Sequence, residues 1–197
     1  MLQPGQNAPV FTLPDADMQT VKLASFLGKK NIVLYVYPRD NTPGCTMEAA
    51  EFSDHEGEFG ERNCVILGVS RDDCLTHAEF RDKHGLSIGL LSDPEGEVCR
   101  RYGVLQEKEM DGVRRECLVR STFVIDMKGV IRHAAYGVNP RHHAQEIYAV
   151  VRKLKWKEPW FLVSAATGAG TQAVTYKVMD LLEKQRAAAR AGIDGND

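Results

Sequence analysis

Asn31-Ile32-Val33-Leu34-Tyr35-Val36-Tyr37 runs directly into Pro38-Arg39-Asp40-Asn41-Thr42-Pro43-Gly44-Cys45-Thr46. The first run is short and dominated by β-branched and aromatic residues. It reads as a strand buried on both faces rather than as helix. The second run is turn chemistry opening a helix. Proline is tolerated in a first helical turn because the N–H it lacks would have no partner there. A helix is therefore predicted from Pro43 to about Phe59, with Ala49, Phe52, Glu56 and Phe59 on one stripe, three of them apolar.

The same alternation continues outward. Val65–Ser70 (VILGVS) reads as a second buried strand. Asp73 can cap a helix that runs to about His84 and is ended by Gly85. A short strand is predicted at Ile88–Leu91 and a short helix at Pro94–Tyr102, stopped by Gly103. Leu118–Asp126 (LVRSTFVID) reads as a strand, Met127-Lys128-Gly129 as a turn, and Val130–Tyr136 as the hairpin partner. Asn139-Pro140 should start a last helix, with Asn as cap and Pro at the first position, and Ile147, Val150, Val151 and Leu154 facing the core. This order predicts an α/β domain with a central mixed sheet flanked by helices.

The character changes at Trp156. Glu158-Pro159 breaks the helix, Thr167-Gly168-Ala169-Gly170 reads as a link, and an amphipathic helix is predicted over 171–191 with Val174, Val178, Leu181 and Leu182 on its apolar side. The expected organisation is a domain at 1–155 and a C-terminal helical extension at 156–197. That extension needs a surface to cover it, and a homodimer partner is the expected one.

Composition narrows the function. Of 197 residues, 43% are hydrophobic and 26% charged, with net charge −2, which suits a globular protein and argues against a nucleic-acid or anionic-membrane partner. The first residues lack the basic start and apolar core of a signal peptide, and no apolar run reaches the roughly 18 residues of a membrane span, so a cytoplasmic location is expected. Cys45, Cys64, Cys74, Cys99 and Cys117 are odd in number and form no C-x-x-C pair. That pattern suggests free thiols in a reducing compartment, with one of them reactive.

Cys45 is the candidate. It lies within the first turn of its helix, where unpaired N–H groups and the positive end of the dipole favour thiolate over thiol. The thiolate is the nucleophile. Gly44 leaves room for a small substrate, and Thr42 offers a hydroxyl to substrate or sulfur. Arg120 stands among Leu118, Phe123 and Val124, a setting in which a guanidinium needs an anionic or hydrogen-bonding partner. The other candidates read as structural. Cys74-x-x-His77 lacks the second pair a metal site would need, His142-His143 reads as a solvated pair, and TGAGT at 167–171 lacks the lysine of a phosphate loop.

Pro38-x-x-x-Thr42-x-x-Cys45 resembles the active-site signature of peroxiredoxins, the alkyl hydroperoxide reductase and thiol-specific antioxidant superfamily. The longer string YPRDNTPGCTMEA is similar to the bacterioferritin comigratory protein, or peroxiredoxin Q, subgroup. FTLPD, VILGVSRD, LLSDPEGEV, YGV and RSTFVID follow in the expected order, so the resemblance spans about residues 3–155. It implies a thioredoxin-like fold and a thiol-dependent peroxidase acting on hydrogen peroxide and organic hydroperoxides, without metal or other cofactor. It implies Cys45 as the attacking cysteine and Thr42 and Arg120 as its catalytic partners. Pro38 would shield the pocket, with Gly44 beside it, and thioredoxin or another external thiol would be the reductant.

The chain departs from that pattern where a resolving cysteine is usual. Those positions hold Ala50 and, on the next helix, Arg81. Cys74, at the start of that helix, is the substitute candidate. The alternatives are a peroxide-sensing switch, which uses the same thiolate once, and a thioredoxin-like thiol oxidoreductase, which the missing C-x-x-C counts against.

Overall fold

The computed structural model describes residues 1–110, 113–154 and 179, with side chains 108–110 and 113–115 left aside. Residues 1–154 fall within one compact unit, Met1–Trp156. The extension's link, its helix over 171–191 and its dimer role lie outside the described residues, apart from Met179.

In chain order the elements are β1 (Thr12–Pro14), β2 (Thr20–Lys22), a 3-10 turn (Leu23–Ser25), β3 (Asn31–Val36), α1 (Pro43–Asp54), α2 (Glu56–Glu61), β4 (Cys64–Ser70), α3 (Cys74–His84), β5 (Gly89–Ser92), α4 (Glu97–Arg101), β6 (Leu105–Met110), β7 (Val113–Leu118), β8 (Ser121–Ile125), β9 (Ile131–Tyr136) and α5 (His143–Val151). The central sheet has the order β5-β4-β3-β8-β9. The strands β3, β4 and β5 are parallel, while β8 and β9 add antiparallel pairs, so the sheet is mixed as the element order implies.

Every residue of β3 is buried, because β3 is central and covered on both faces. Its side chains alternate between two cores. Ile32, Leu34 and Val36 pack with Leu67, Leu91, Phe123, Val98 and Tyr102. Val33, Tyr35 and Tyr37 pack on the other face with Cys45, Ala49 and Phe52 of α1, Phe59 of α2, Phe80 of α3, and Ile147 and Val151 of α5. The candidate nucleophile therefore belongs to the second layer, seated on the central strand.

The α3 ends match the sequence reading. Asp73 accepts a hydrogen bond from Thr76 N at 2.8 Å, and Gly85 takes the left-handed conformation (φ 62°) that favours glycine. Four readings need correction. The helix expected over 43–59 is interrupted at His55. Gly57 and Gly60 weaken its second half, and the His55 ring bonds the Glu51 carbonyl at 2.9 Å. The helix expected at 94–102 is confined to α4. The last helix starts at His143 instead of Pro140, since Asn139 Oδ1 caps a local turn by accepting from Arg141 N (3.1 Å) and His142 is left-handed (φ 58°). Finally, Leu118–Asp126 is not one strand. Leu118 ends β7, β8 begins at Ser121, and Arg120 lies in the bend between them.

Candidate active site

Thr42 is the extended N-cap of α1 and Pro43 its first residue, so Cys45 falls in the first turn as its sequence setting requires. Cys45 is only 1% exposed. The Thr42 carbonyl accepts the first helical bond from Thr46 N at 2.9 Å. The Thr42 hydroxyl donates to the Arg39 carbonyl at 3.2 Å. Its proton therefore goes to backbone, and its lone pairs are what it can offer a peroxide O–H.

Arg120 reaches this turn from the bend before β8. The bend is pinned through its own carbonyl, which accepts from Gly137 N (2.8 Å) and Val138 N (3.1 Å). Arg120 Nη2 then donates to Cys45 Sγ at 3.1 Å. Its Nη1 donates to Glu48 Oε2, one helical turn beyond the cysteine on the same face of α1. Burial works against the guanidinium charge, but the Glu48 carboxylate and the Cys45 sulfur outweigh it and raise its pKa above the usual arginine value. The sulfur thus faces a permanent cation and a helix N-terminus together.

Gly44 completes that wall. A methyl added there would meet Pro140 Cγ at 3.5 Å and Arg120 Nη2 at 3.7 Å, so glycine keeps the guanidinium accessible. Pro38 is exposed and lines a cleft of about 540 Å³ with Arg39, Arg71, Asp72, Pro94, Leu105, Glu116, Cys117 and Leu118. Cys45 is not among the walls of that cleft.

Several site residues escape a sequence reading. Glu48 is fully buried. Its position three residues after Cys45 was the available signal. Beneath the helix, Tyr35 stacks on Phe52 with ring centroids 4.8 Å apart, and burial followed by the Glu48 charge pushes its hydroxyl well above the ordinary tyrosine pKa. The loop before Thr42 is anchored by Asp40. Its carboxylate accepts from Tyr37 Oη (2.7 Å) and meets His77 Nδ1 (2.7 Å), while its N–H donates to Asp72 Oδ2 (2.8 Å). His77 Nε2 lies 3.1 Å from the Leu91 carbonyl, so both ring nitrogens face protein acceptors. These bonds tie the cysteine loop to α3 and β5. The solvated pair expected at His142-His143 is also corrected, because His143 is 1% exposed and packs on Phe52.

All five cysteines are free thiols. Burial pushes the Cys64 pKa up to about 12, and burial together with the Asp93 carboxylate pushes Cys99 well above the normal range. Both are therefore held as inert thiols. Cys74 opens α3 and Cys117 lies on β7, each half-buried. Of the usual resolving positions, Ala50 is on α1, and Arg81 on α3 pairs with Asp17 (2.8 Å) and Asp82 (2.9 Å).

The model of the AhpC/TSA family matches residues 4–134. Peroxiredoxin Bcp of Bacillus subtilis strain 168 is 38% identical over 153 residues, which cover 78% of this chain and 97% of that protein. Among solved structures, the bacterioferritin comigratory protein of Xanthomonas campestris, studied for alkyl peroxide reduction, is similar with a TM-score of 0.70 and 32% identity over 72% of this chain and 90% of that one. Peroxidoxin BcpB of Mycobacterium tuberculosis aligns with a TM-score of 0.71 and 30% identity, covering 79% of this chain and 100% of its own.

Proposed function

The chain belongs to the AhpC/TSA family and is a thiol-dependent peroxidase of the peroxiredoxin type with a thioredoxin-like fold, and we propose that Cys45 is its nucleophile. The observation that carries this is the 3.1 Å approach of Arg120 Nη2 to Cys45 Sγ at the first turn of a helix. The Cys45 thiolate attacks one oxygen of ROOH. An S–O bond forms, the O–O bond breaks, and the departing RO⁻ takes up a proton and leaves as ROH. The sulfur becomes a sulfenic acid, the reversible first step of cysteine oxidation. Arg120 binds the sulfur and the polarising oxygens, the Thr42 hydroxyl accepts a hydrogen bond from the peroxide O–H, and Gly44 leaves room for both, with Pro38 at the pocket rim.

Hydrogen peroxide and alkyl hydroperoxides are the proposed substrates, the latter by likeness to the Xanthomonas protein. Two reductant thiols return the sulfenic acid to thiol through a mixed disulfide, with loss of water. Thioredoxin is the proposed donor, and five free thiols suit the reducing cytoplasm in which it would act. Steady peroxide consumption over many turnovers with thioredoxin, its reductase and NADPH tests this reading. A single stoichiometric reaction, with no turnover on any thiol, would overturn it.

With Ala50 and Arg81 at the usual resolving positions, no fast disulfide inside one chain is expected. Mass spectrometry after one equivalent of peroxide is expected to find a sulfenic acid at Cys45, or a slower disulfide to Cys74 or to an added thiol. Cys64 and Cys99 should stay unmodified, since burial keeps both protonated. A rapid, quantitative Cys45–Cys99 or Cys45–Cys117 bridge would contradict this.

We propose further that 1–155 is the peroxidase domain and that 156–197 is an extension joining two copies. The support is the sequence: Val174, Val178, Leu181 and Leu182 are spaced as one face of a helix would be, and Trp156, Trp160 and Phe161 precede them. Truncation after Lys155 should convert a dimer to a monomer by light scattering, with peroxidase turnover retained. An unchanged oligomeric state would end the dimer role.

A further inference from the structure

We propose that His143 is a positioning residue for peroxide reduction, acting on Cys45 through Glu48 and Arg120. This deepens the reading above and rests on Cys45 and Arg120 acting as described there. His143 Nδ1 lies 3.2 Å from Glu48 Oε1, and both side chains are buried. The two atoms are not aligned for a hydrogen bond, and neither has another hydrogen-bond partner among the described residues. A carboxylate oxygen only accepts, so the ring nitrogen that meets it carries a proton. Two buried polar atoms this close, with no alternative partner, satisfy each other by a small rotation.

The consequence lies in what Glu48 holds. Its other oxygen, Oε2, receives Arg120 Nη1, and the far side of the same planar fork reaches Cys45 Sγ at 3.1 Å. A guanidinium has fixed donor geometry, so turning the Glu48 carboxylate carries Nη2 away from the sulfur. His143 closes off that turn at Oε1. Its ring is itself held against Phe52 (centroids 5.6 Å apart), which stacks on Tyr35 under the cysteine helix. The surroundings keep α5 in register with α1, because Ala144 N donates to Glu51 Oε2 at 3.4 Å. His133 of β9 is the other titratable group that senses His143. The series Cys45–Arg120–Glu48–His143 therefore runs from the reacting sulfur to the first residue of α5.

The test is a set of substitutions on the full chain. His143→Phe keeps a ring against Phe52 and removes the N–H. It is expected to slow oxidation of Cys45 about tenfold by rapid-quench kinetics, the usual cost of losing a group that orients a reacting one. It should also move the midpoint of Cys45 alkylation by iodoacetamide to higher pH. His143→Asn sets an amide donor where Nδ1 stood, facing Glu48 Oε1, and should recover most of both. If the Phe protein does not fold, His143→Leu, which has no polar atom, carries the same expectation. In a Glu48→Gln background His143→Phe should add no further loss, because the link it acts through is already cut. Wild-type rate and midpoint in the Phe or Leu protein, or a full loss persisting beside Glu48→Gln, would overturn the proposal. Failure of the wild-type chain to react at Cys45 would instead overturn the proposed function.

Discussion

A protein carrying Cys45→Ser is expected to fold normally and consume no peroxide. The substitution changes one buried atom at a position 1% exposed, and a hydroxyl can still accept from Arg120 Nη2. Melting temperature and circular dichroism should therefore stay near wild type. The chemistry has no such tolerance. A serine hydroxyl is far too basic to ionise at neutral pH, and no described side chain is placed to take its proton. The neighbours of the sulfur are a guanidinium that only donates and a tyrosine kept protonated by burial. Loss of about three orders of magnitude or more in the second-order rate is expected, as for removal of other enzymatic nucleophiles. Cys64 and Cys99 cannot substitute, since burial holds both protonated. Retention of more than about a few per cent of the rate would show that the nucleophile is elsewhere.

The sheet was readable because its strands carry their signal locally. The run at 31–37 is apolar throughout since β3 is covered on both faces, and the α3 ends are written in Asp73 and Gly85. The β6–β7 hairpin was not readable. LQEKEM and VRRECL are strongly polar, and their pairing, Leu105 with Leu118 through Met110 with Val113, is a relation between two segments that neither announces alone. Arg120 illustrates the same limit. Its apolar neighbours suggested a strand, yet Val119 is bonded to the Val104 carbonyl and the Arg120 carbonyl to the loop after β9, so distant backbone decides its direction.

The site divides along the same line. Cys45 was legible because helix-start chemistry is a local property of five or six residues. Glu48 sits at a helical spacing that could have pointed to it, but a glutamate in a helix is ordinarily solvated, and only the arrival of Arg120 explains its burial. His143 was read as solvated and is buried, and nothing in the sequence announced what His77 pairs with. Histidine has no strong preference for inside or outside, and what buries these two is a carboxylate from another element, Asp40 for one and Glu48 for the other. Such polar pairing is long-range, and single-residue patterns do not encode it.

Replacing Arg120 by methionine separates the two roles proposed for the guanidinium. Methionine keeps an apolar stem in the bend before β8 and removes the charge beside Cys45. Without that cation the thiolate is less favoured, so the midpoint of the pH–rate profile should move to higher pH. Well above the midpoint the thiolate is fully formed in both proteins, and the remaining gap in rate reports stabilisation of the breaking O–O bond. Loss of one such charge-assisted contact costs on the order of 2–4 kcal/mol, or roughly 30- to 1000-fold in rate. The substitution also strips Glu48 of its Arg120 partner, and an unpaired buried charge destabilises a fold by several kcal/mol. The melting temperature of Arg120→Met should therefore fall. Adding Glu48→Gln removes the stranded charge and should recover part of the stability without recovering the rate. Stopped-flow oxidation across pH, with thermal melts of the single and double variants, reads all of these quantities. A profile unchanged in both height and midpoint would remove Arg120 from the mechanism, because a cation donating to the sulfur cannot be lost without moving at least one of them.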